Sequence, residues 1–157
     1  LRIEHSADEG DDNLYLWEGC ENPVSLRKAS DGTMRLLAYQ VLLGHPEIPL
    51  LIGIEEPEQN LHPAAFKEVA SLLEQLAERT QVIITTHSSQ LLDAFNPEGL
   101  SDNLGVLLLQ NVPGKGTEVI NLEDARKNRE ALDGWITDFG IGSAIFDSEL
   151  LQDVTEG

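Results

Sequence analysis

Two adjacent carboxylates and one imidazole stand where two apolar runs of the sequence end. Glu55 and Glu56 follow the run Leu50–Ile54, and His87 follows the β-branched run Val82–Thr86. Adjacent residues on a strand point in opposite directions, so the two acids can take separate roles. One can hold Mg²⁺, the other can activate a water that attacks a phosphate, and the histidine can hydrogen-bond that water and the phosphate. Packing alone does not favour adjacent carboxylates at a buried strand end, because they repel each other and lose hydration.

Both apolar runs suit strands of one parallel sheet, with a helix between them. Pro49 and Pro57 bound Leu50–Ile54, and a short run of this kind is typical of a strand that is buried on both faces. Pro63 suits the first residue of the following helix, in which apolar residues recur at helical spacing from Phe66 onward. Because ligands bind at the carboxyl ends of parallel strands, we expect the two acids and the histidine to share one edge of the sheet.

The N-terminal part of the chain predicts short strands. The segments Leu1–His5 and Asn13–Glu18 suit two strands that are joined by the acidic, glycine-containing turn Ser6–Asp12. We expect an irregular stretch over Glu21–Ala29.

A capped helix and a helical tail are predicted on either side of the strand–helix–strand unit. Ser30 suits an N-cap for a helix over Thr33–Leu43, which Gly44 closes. The downstream predictions are a short helix over Ser88–Ala94, a hairpin of Val106–Gln110 and Glu118–Asn121 around the turn Pro113–Gly116, and a helical tail from Leu122 with a break at Gly140–Gly142.

The composition limits the class of protein. The chain has 157 residues, of which 41% are hydrophobic, and this suffices for one domain with a packed core. Ten basic against 28 acidic residues give a net charge of -18, which argues against a surface that grips nucleic acid. The single Cys20 excludes an intramolecular disulfide and a cysteine-based zinc site. Since no apolar run approaches membrane-spanning length and residues 1–15 lack a signal-peptide profile, we expect a cytoplasmic protein without a membrane partner.

Three motifs, in order, resemble those of a known family. The segment Leu50–Pro63 resembles the Walker B strand and D-loop of the ABC-type ATPases, in the branch that contains SMC, RecF-like and OLD-family proteins. The segment Val82–Ser88 resembles the H-loop strand of that family. The segment Ser30–Thr33, which opens a helix before the Walker B strand, is similar to its signature motif, although a plain capped helix also accounts for these four residues. The motif core covers residues 29–93, and the tail Asp138–Leu151 is loosely similar to the C-terminal region of the same proteins.

The resemblance implies a fold, a domain organisation and a set of site residues. It implies an α/β fold, namely a partial P-loop NTPase core with parallel strands flanked by helices, followed by a C-terminal β-hairpin and helices. Residues 1–157 would be a single domain and the C-terminal portion of an ATPase head, with N-terminal strands and loop over 1–29, the motif core over 30–94 and the hairpin and helices over 95–157. The implied roles are Mg²⁺ support for Glu55, general base or water-orienting group for Glu56, and γ-phosphate contact for His87. Ser30, Gly32 and Thr33 would face the ATP held by a second protomer. Glu58, Gln59 and Asn60 would lie in the D-loop, which touches the partner subunit, with Asn60 as a further nucleotide-binding residue.

The phosphate-binding loop of that family is missing from the sequence. No Gly-x-x-x-x-Gly-Lys-Ser/Thr segment is present, and Gly114–Thr117 lacks the first glycine and lies in a predicted hairpin turn. We therefore expect the chain to be part of a longer protein with the loop upstream of Leu1, and to be inactive by itself. The expected cofactors are ATP and Mg²⁺, and the expected partner is a second copy of the head in a homodimer. DNA, or a nuclease or other effector domain elsewhere in the protein, is a further expected partner.

Other functions remain open on the residues alone. The chain could be an interaction or regulatory fragment that does not bind ATP by itself. Glu55, Glu56, His62 and His87 could form a metal-hydrolase site, although no paired-histidine spacing supports one. A two-carboxylate glycosidase usually needs acids on different strands, which consecutive acids do not provide. The process driven by hydrolysis, whether DNA repair, phage defence or nuclease control, is also left open.

Overall fold

A computed structural model describes residues 2–8, 11–17, 22–100, 102–127 and 130–146 of the chain. The strands are β1 (Arg2–Asp8), β2 (Asp11–Trp17), β3 (Val24–Ser25), β4 (Leu51–Glu55), β5 (Gln81–Thr85), β6 (Leu107–Val112) and β7 (Gly116–Asn121). The helices are α1 (Asp31–Gly44), α2 (Phe66–Ala77), α3 (Ser89–Leu92), α4 (Leu122–Lys127), α5 (Glu130–Phe139) and α6 (Ile141–Phe146). Short 3-10 turns cover Leu26–Lys28, Pro63–Ala65 and Pro97–Gly99.

The described strands form three small sheets. Strands β1, β2 and β3 form an antiparallel sheet, β4 and β5 form a parallel pair, and β6 and β7 form a hairpin. The parallel pair is connected through α2, as the strand–helix–strand pattern predicts. The α/β fold class is therefore confirmed. Among the described residues, no helix is both long and apolar enough to cross a bilayer.

The core lies between the helices and one face of the parallel pair. Helix α2 buries an apolar stripe that includes Val69, Leu73 and Leu76. Ile54 and Ile84 of the two strands pack against this cluster. The apolar residues of α2 recur at helical spacing, so a single face of the helix supplies the contact. This packing fixes the two strands whose ends carry the candidate residues.

The other face of the parallel pair is exposed in this chain. Leu51 and Ile83 lie on it with 53% and 51% of their surface exposed, and Leu50, just before β4, is 93% exposed. Burial alternates along both strands, because successive side chains point to opposite faces. The prediction of a strand buried on both faces is therefore wrong for this structure, in which the helical layer covers one face alone.

The N-terminal elements differ from the predicted boundaries. Residues Asp8 and Asp11 pair across the β1–β2 hairpin, so the turn is shorter than the predicted Ser6–Asp12. Leu1, Glu9, Gly10 and Glu18–Glu21, on which parts of these predictions fall, lie outside the described residues. The stretch expected to be irregular contains β3 and a 3-10 turn. Helix α1 begins two residues earlier than predicted, because Ser30 caps it directly: its Oγ accepts a hydrogen bond from the Thr33 N–H over 3.1 Å.

The C-terminal helices are fastened to the segment that follows β5. Asp93, just after α3, accepts hydrogen bonds through Oδ1 from the N–H groups of Gly142 (2.7 Å) and Ser143 (3.1 Å). Its Oδ2 accepts another from the Ser143 hydroxyl at 2.9 Å. The predicted helix break is confirmed at Gly140, whose φ of +102° suits glycine. A carboxylate at the first turn of α6 is favourable, because it pairs N–H groups that have no partner within a helix.

Candidate functional site

The two acids and the histidine follow neighbouring strands of the parallel pair. Glu55 is the last residue of β4 and pairs with Thr85, the last residue of β5. The Glu56 N–H donates a hydrogen bond to the Thr85 carbonyl over 2.8 Å, which extends the ladder by one residue. His87 comes two residues after Thr85 and is exposed. The three predicted residues therefore emerge at one edge of the sheet, because parallel strands end on the same side.

Both acids line one open depression, which is contrary to simple strand alternation. Its volume is about 550 Å³, and its lining residues are Arg35, Glu55, Glu56, Gln59 and Thr85. Strand alternation would send consecutive side chains to opposite faces. Glu56, however, has left the strand and has a φ of +42°. The left-handed backbone turns the chain at this residue, so strand alternation no longer determines the direction of the Glu56 side chain. His87 is not a lining residue.

Three hydrogen bonds hold Glu56 in this uncommon backbone conformation. Besides its N–H bond to Thr85, its carbonyl oxygen accepts from Arg35 Nη1 over 2.8 Å and from the Gln59 N–H over 2.9 Å. A non-glycine residue in the left-handed region costs on the order of 1–3 kcal/mol and persists where its surroundings determine it. Such strain is concentrated at functional sites, so this backbone conformation favours a functional role for Glu56.

Helix α1 presents polar groups at its start, near the turn that follows the acids. Ser30 is exposed, Thr33 is half-buried, and their hydroxyl oxygens lie 3.0 Å apart. The first N–H groups of a helix have no partner within it, so this end can receive an anion. Gly32 is buried instead, and a Cβ there would lie 2.9 Å from the Asn60 carbonyl oxygen. Close packing against this turn therefore accounts for the glycine, whereas its predicted contact with ATP stays a prediction.

One face of α1 is packed against the segment that begins with the two acids. Arg35 reaches the Glu56 carbonyl and, over 3.4 Å, Gln59 Oε1. The Tyr39 hydroxyl donates to the carbonyl of the fully buried Pro57 over 3.3 Å. Burial raises the pKa of the Tyr39 phenol above its ordinary value, so the hydroxyl keeps the proton that it donates. The capped helix and the acidic turn therefore form one packed unit.

Sequence reasoning did not single out Arg35 and Tyr39. With Gly32 they stand at positions i, i+3 and i+7 of one helix, which is the spacing of residues on a common face. That spacing could have indicated that the three act together. It could not identify their partners, because the segment 56–60 lies about twenty residues further along the chain.

Asn60 also adopts a left-handed backbone, with a φ of +64°. Asparagine is one of the few residues other than glycine that visits this region readily, because its short polar side chain is tolerated there. Asn60 is exposed and its carbonyl oxygen faces the buried Gly32. The structure thus gives Asn60 a conformational role in shaping the turn, and its predicted contact with a nucleotide stays a prediction.

The donor set suits Mg²⁺ held together with a substrate rather than a self-contained metal centre. Within the described ranges, no group of three or more His, Cys, Asp or Glu side chains could hold a metal ion. The metal-hydrolase alternative from His62, His87 and the two acids therefore has no support. Mg²⁺ prefers oxygen ligands and is commonly bound by one or two carboxylates together with phosphate oxygens and water. The exposed Glu55 and the half-buried Glu56 fit that requirement.

A protein family and several plant proteins match the part of the chain that carries this site. The model of the family described as AAA domain, putative AbiEii toxin, Type IV TA system matches residues 3–93, which is more than half of the chain. ABC transporter A family members 10, 12 and 7 of Arabidopsis thaliana are 27%, 25% and 26% identical over 107 residues. The alignments cover 68% of this chain and 11% of each plant protein, so the chain spans about a tenth of these relatives' length.

A solved structure shares the fold. It comes from work on the structural biochemistry of ATP-driven dimerization and DNA-stimulated activation of SMC ATPases. The match has a TM-score of 0.54 at 17% sequence identity and covers 80% of this chain and 74% of that chain. At this identity the likeness concerns the fold alone. Together with the family match, it confirms the predicted resemblance to ABC-type and SMC-like ATPases.

Proposed function

Because the chain belongs to the AAA-domain family whose model matches residues 3–93, we propose that it is the C-terminal portion of an ATP-binding and ATP-hydrolysing head. A phosphate-binding loop outside this sequence and a second copy of the head complete the nucleotide site. In general terms, the chain is a region of an ABC- and SMC-like ATPase domain, a class that uses a nucleotide and Mg²⁺. The observation that carries the proposal is the pair of acids on one depression, with His87 following the neighbouring strand.

The chain's own residues suit separate tasks in phosphate hydrolysis. Glu55 would hold Mg²⁺, and the bound ion would neutralise charge on the phosphates of ATP. Glu56 orients the attacking water and accepts its proton. Because its backbone is held by three hydrogen bonds, the positions open to the carboxylate are restricted. His87 donates a hydrogen bond to the terminal phosphate. Ser30, Thr33 and the open N–H groups of α1 contact the nucleotide that the second copy holds.

The uncovered face of the parallel pair supports an upstream continuation of the domain. Leu51 and Ile83 are apolar side chains on this face, and 53% and 51% of their surface is exposed. Parallel sheets are normally covered on both faces, because their crossover helices lie there. In the proposal, the upstream segment with the phosphate-binding loop adds the missing layer. The upstream segment would thereby place the phosphate-binding loop at the edge of the sheet where Glu55 and Glu56 lie.

Glu56→Gln in the intact protein tests the proposal. The amide keeps the size of the side chain but cannot accept a proton, so we expect ATP to bind and turnover to fall by roughly 10²–10⁴-fold. The ATP-bound dimer should then accumulate and be visible by light scattering after size-exclusion chromatography. Glu68→Gln, at an exposed position on α2, is the matched control and should turn over normally. Unchanged turnover in Glu56→Gln would exclude the assignment of Glu56.

The second candidate function is an interaction or regulatory fragment that does not bind ATP by itself. The open shape of the depression and the exposed apolar face favour it for the isolated chain. ATP turnover by the intact protein separates the two candidates, whereas titration of the isolated 157 residues with Mg-ATP in a calorimeter tests the need for an upstream loop, which both candidates share. We expect no binding heat from this chain alone. Tight binding would show that no upstream phosphate-binding loop is needed, which would contradict the leading proposal.

A further inference from the structure

The side chain of Glu58 faces into the domain. Glu58 lies two residues after Glu56 and is half-buried. Its Oε1 accepts a hydrogen bond from the hydroxyl of Thr86, and its Oε2 is buried without a hydrogen-bond partner among the described residues. Burial of an incompletely paired carboxyl group is unfavourable. The hydrogen bond from Thr86 offsets part of this cost.

Thr86 connects Glu58 to the backbone on which His87 is carried. Its Oγ1 donates to Glu58 and also accepts from the Ser88 N–H over 2.9 Å. A hydroxyl has one proton, and a carboxylate only accepts, so Glu58 determines where that proton points and leaves a lone pair for Ser88. The two residues that flank His87 are thereby joined in a short turn.

The far side of this turn is fixed as well. Ser88 caps α3, and its Oγ accepts from the Leu91 N–H over 3.1 Å. Leu91 is fully buried in the core. The near side is fixed by β5, which pairs with β4 up to Thr85. His87 is exposed, so core packing does not hold the imidazole, and this backbone fixes the position from which it projects.

We propose that Glu58 is a positioning residue for His87, acting through the hydroxyl of Thr86. It couples the segment that follows the catalytic acids to the histidine on the neighbouring strand, so that both sides of the site keep one relative geometry. The proposal rests on the proposed function, in which His87 contacts the terminal phosphate. It adds two residues, Glu58 and Thr86, that contact neither nucleotide nor metal themselves.

The test compares variants of the intact protein. Glu58→Ala and Thr86→Val should each lower kcat roughly 10- to 100-fold, because a small misplacement of a reacting group has that effect, while the Kd for Mg-ATP changes little. Thr86→Ser keeps the hydroxyl and should retain most of the wild-type kcat. Glu68→Ala, exposed on α2, is the control. Combining Glu58→Ala with Thr86→Val should cost no more than either change alone, because both act along one path.

Two readouts separate positioning from general damage. In a His87→Gln background, Glu58→Ala should lower kcat no further. The imidazole NMR signals of His87, identified by their loss in His87→Gln, should move in Glu58→Ala and Thr86→Val and stay in place in Thr86→Ser. Urea unfolding checks that each variant is folded. If Glu58→Ala does not fold, the comparison of Thr86→Val with Thr86→Ser carries the test.

Several outcomes would overturn the inference. One such outcome is a wild-type kcat in Glu58→Ala, and another is an equal loss of kcat in Thr86→Ser and Thr86→Val. The inference is also wrong if the losses of kcat add in the double variant, or if the NMR signals of His87 do not move. The proposed function fails in a different way. In that case Glu56→Gln and His87→Gln would themselves turn over ATP normally, whatever the Glu58 variants do.

Discussion

Arg35, one turn into helix α1, donates a hydrogen bond from Nη1 to the carbonyl oxygen of Glu56 over 2.8 Å. This contact joins the helix that opens with Ser30 to the backbone of the acid that we propose as the water-activating group. The same guanidinium reaches Gln59 Oε1. The positive φ of Glu56 is thereby supported from outside its own strand.

Arg35→Ala should lower ATP turnover of the intact protein roughly 10- to 100-fold, because the carboxylate of Glu56 is no longer held in one position. Arg35→Lys should recover little of it, since an ammonium lacks the planar fork that reaches two acceptors. Steady-state kinetics give the result. Arg79→Ala is the matched control, because Arg79 also donates to backbone carbonyls, those of Leu43 and His45, at the other end of α1. Equal losses in both variants would contradict a specific role for Arg35.

Because the backbone of Glu56 is left-handed, we expect glycine to be more stable than alanine at this position, which is the reverse of the usual order. Glycine adopts a φ of +42° without steric cost, whereas alanine is strained there. Glu56→Gly should therefore be more stable than Glu56→Ala by about 1 kcal/mol. At Glu55, within β4, the order should reverse by roughly 0.5–1 kcal/mol. Urea unfolding of the four variants measures both differences, and the same order at both positions would exclude the strained conformation.

Gly32→Ala tests the close packing of α1 on the turn at Asn60. The added Cβ would meet the Asn60 carbonyl oxygen at 2.9 Å and Leu61 Cδ2 at 3.0 Å. Overpacking of this kind costs about 1–3 kcal/mol, and a gain of up to about 1 kcal/mol in helix propensity offsets it in part. We expect a lower free energy of unfolding and a displaced Asn60. Gly44→Ala, in the same helix with nothing within 4 Å of the new Cβ, should be neutral or stabilising.

The raised pKa of the Tyr39 phenol predicts that the protein loses stability at alkaline pH. Burial raises the pKa of its phenol in the folded state, so folding favours the protonated form. This contribution is complete below the unfolded-state pKa of about 10 and is lost as the pH rises through the higher folded-state pKa. Urea unfolding at neutral pH and above pH ~10 should show a smaller alkaline loss in Tyr39→Phe than in the wild type. An equal alkaline loss of unfolding free energy in the wild type and in Tyr39→Phe would exclude Tyr39 as its cause.

The order of local elements could be predicted from the sequence because local chemistry determines it. Ser30 has a side chain that caps a helix, and Pro49 and Pro57 bound an apolar run. These signals depend on neighbours a few residues away. The bounds of β4, β5 and the later hairpin agree with the predicted ones to within two residues, whereas α2 begins at Phe66, three residues after the predicted first residue Pro63, because Pro63–Ala65 forms a 3-10 turn. The convergence of the two acids and His87 on one edge also followed, because parallel neighbours end on the same side.

The shape of the site was decided only by the tertiary structure. The left-handed conformation of Glu56 arises from hydrogen bonds to Arg35 and Thr85, which lie 21 and 29 positions away in the sequence. The inward direction of Glu58 likewise depends on Thr86. Contacts over such separations produce no periodic pattern in the sequence, because they form only when the helix packs against the turn. The sequence thus identifies the residues of the candidate site, whereas the directions of their side chains relative to one another depend on tertiary packing.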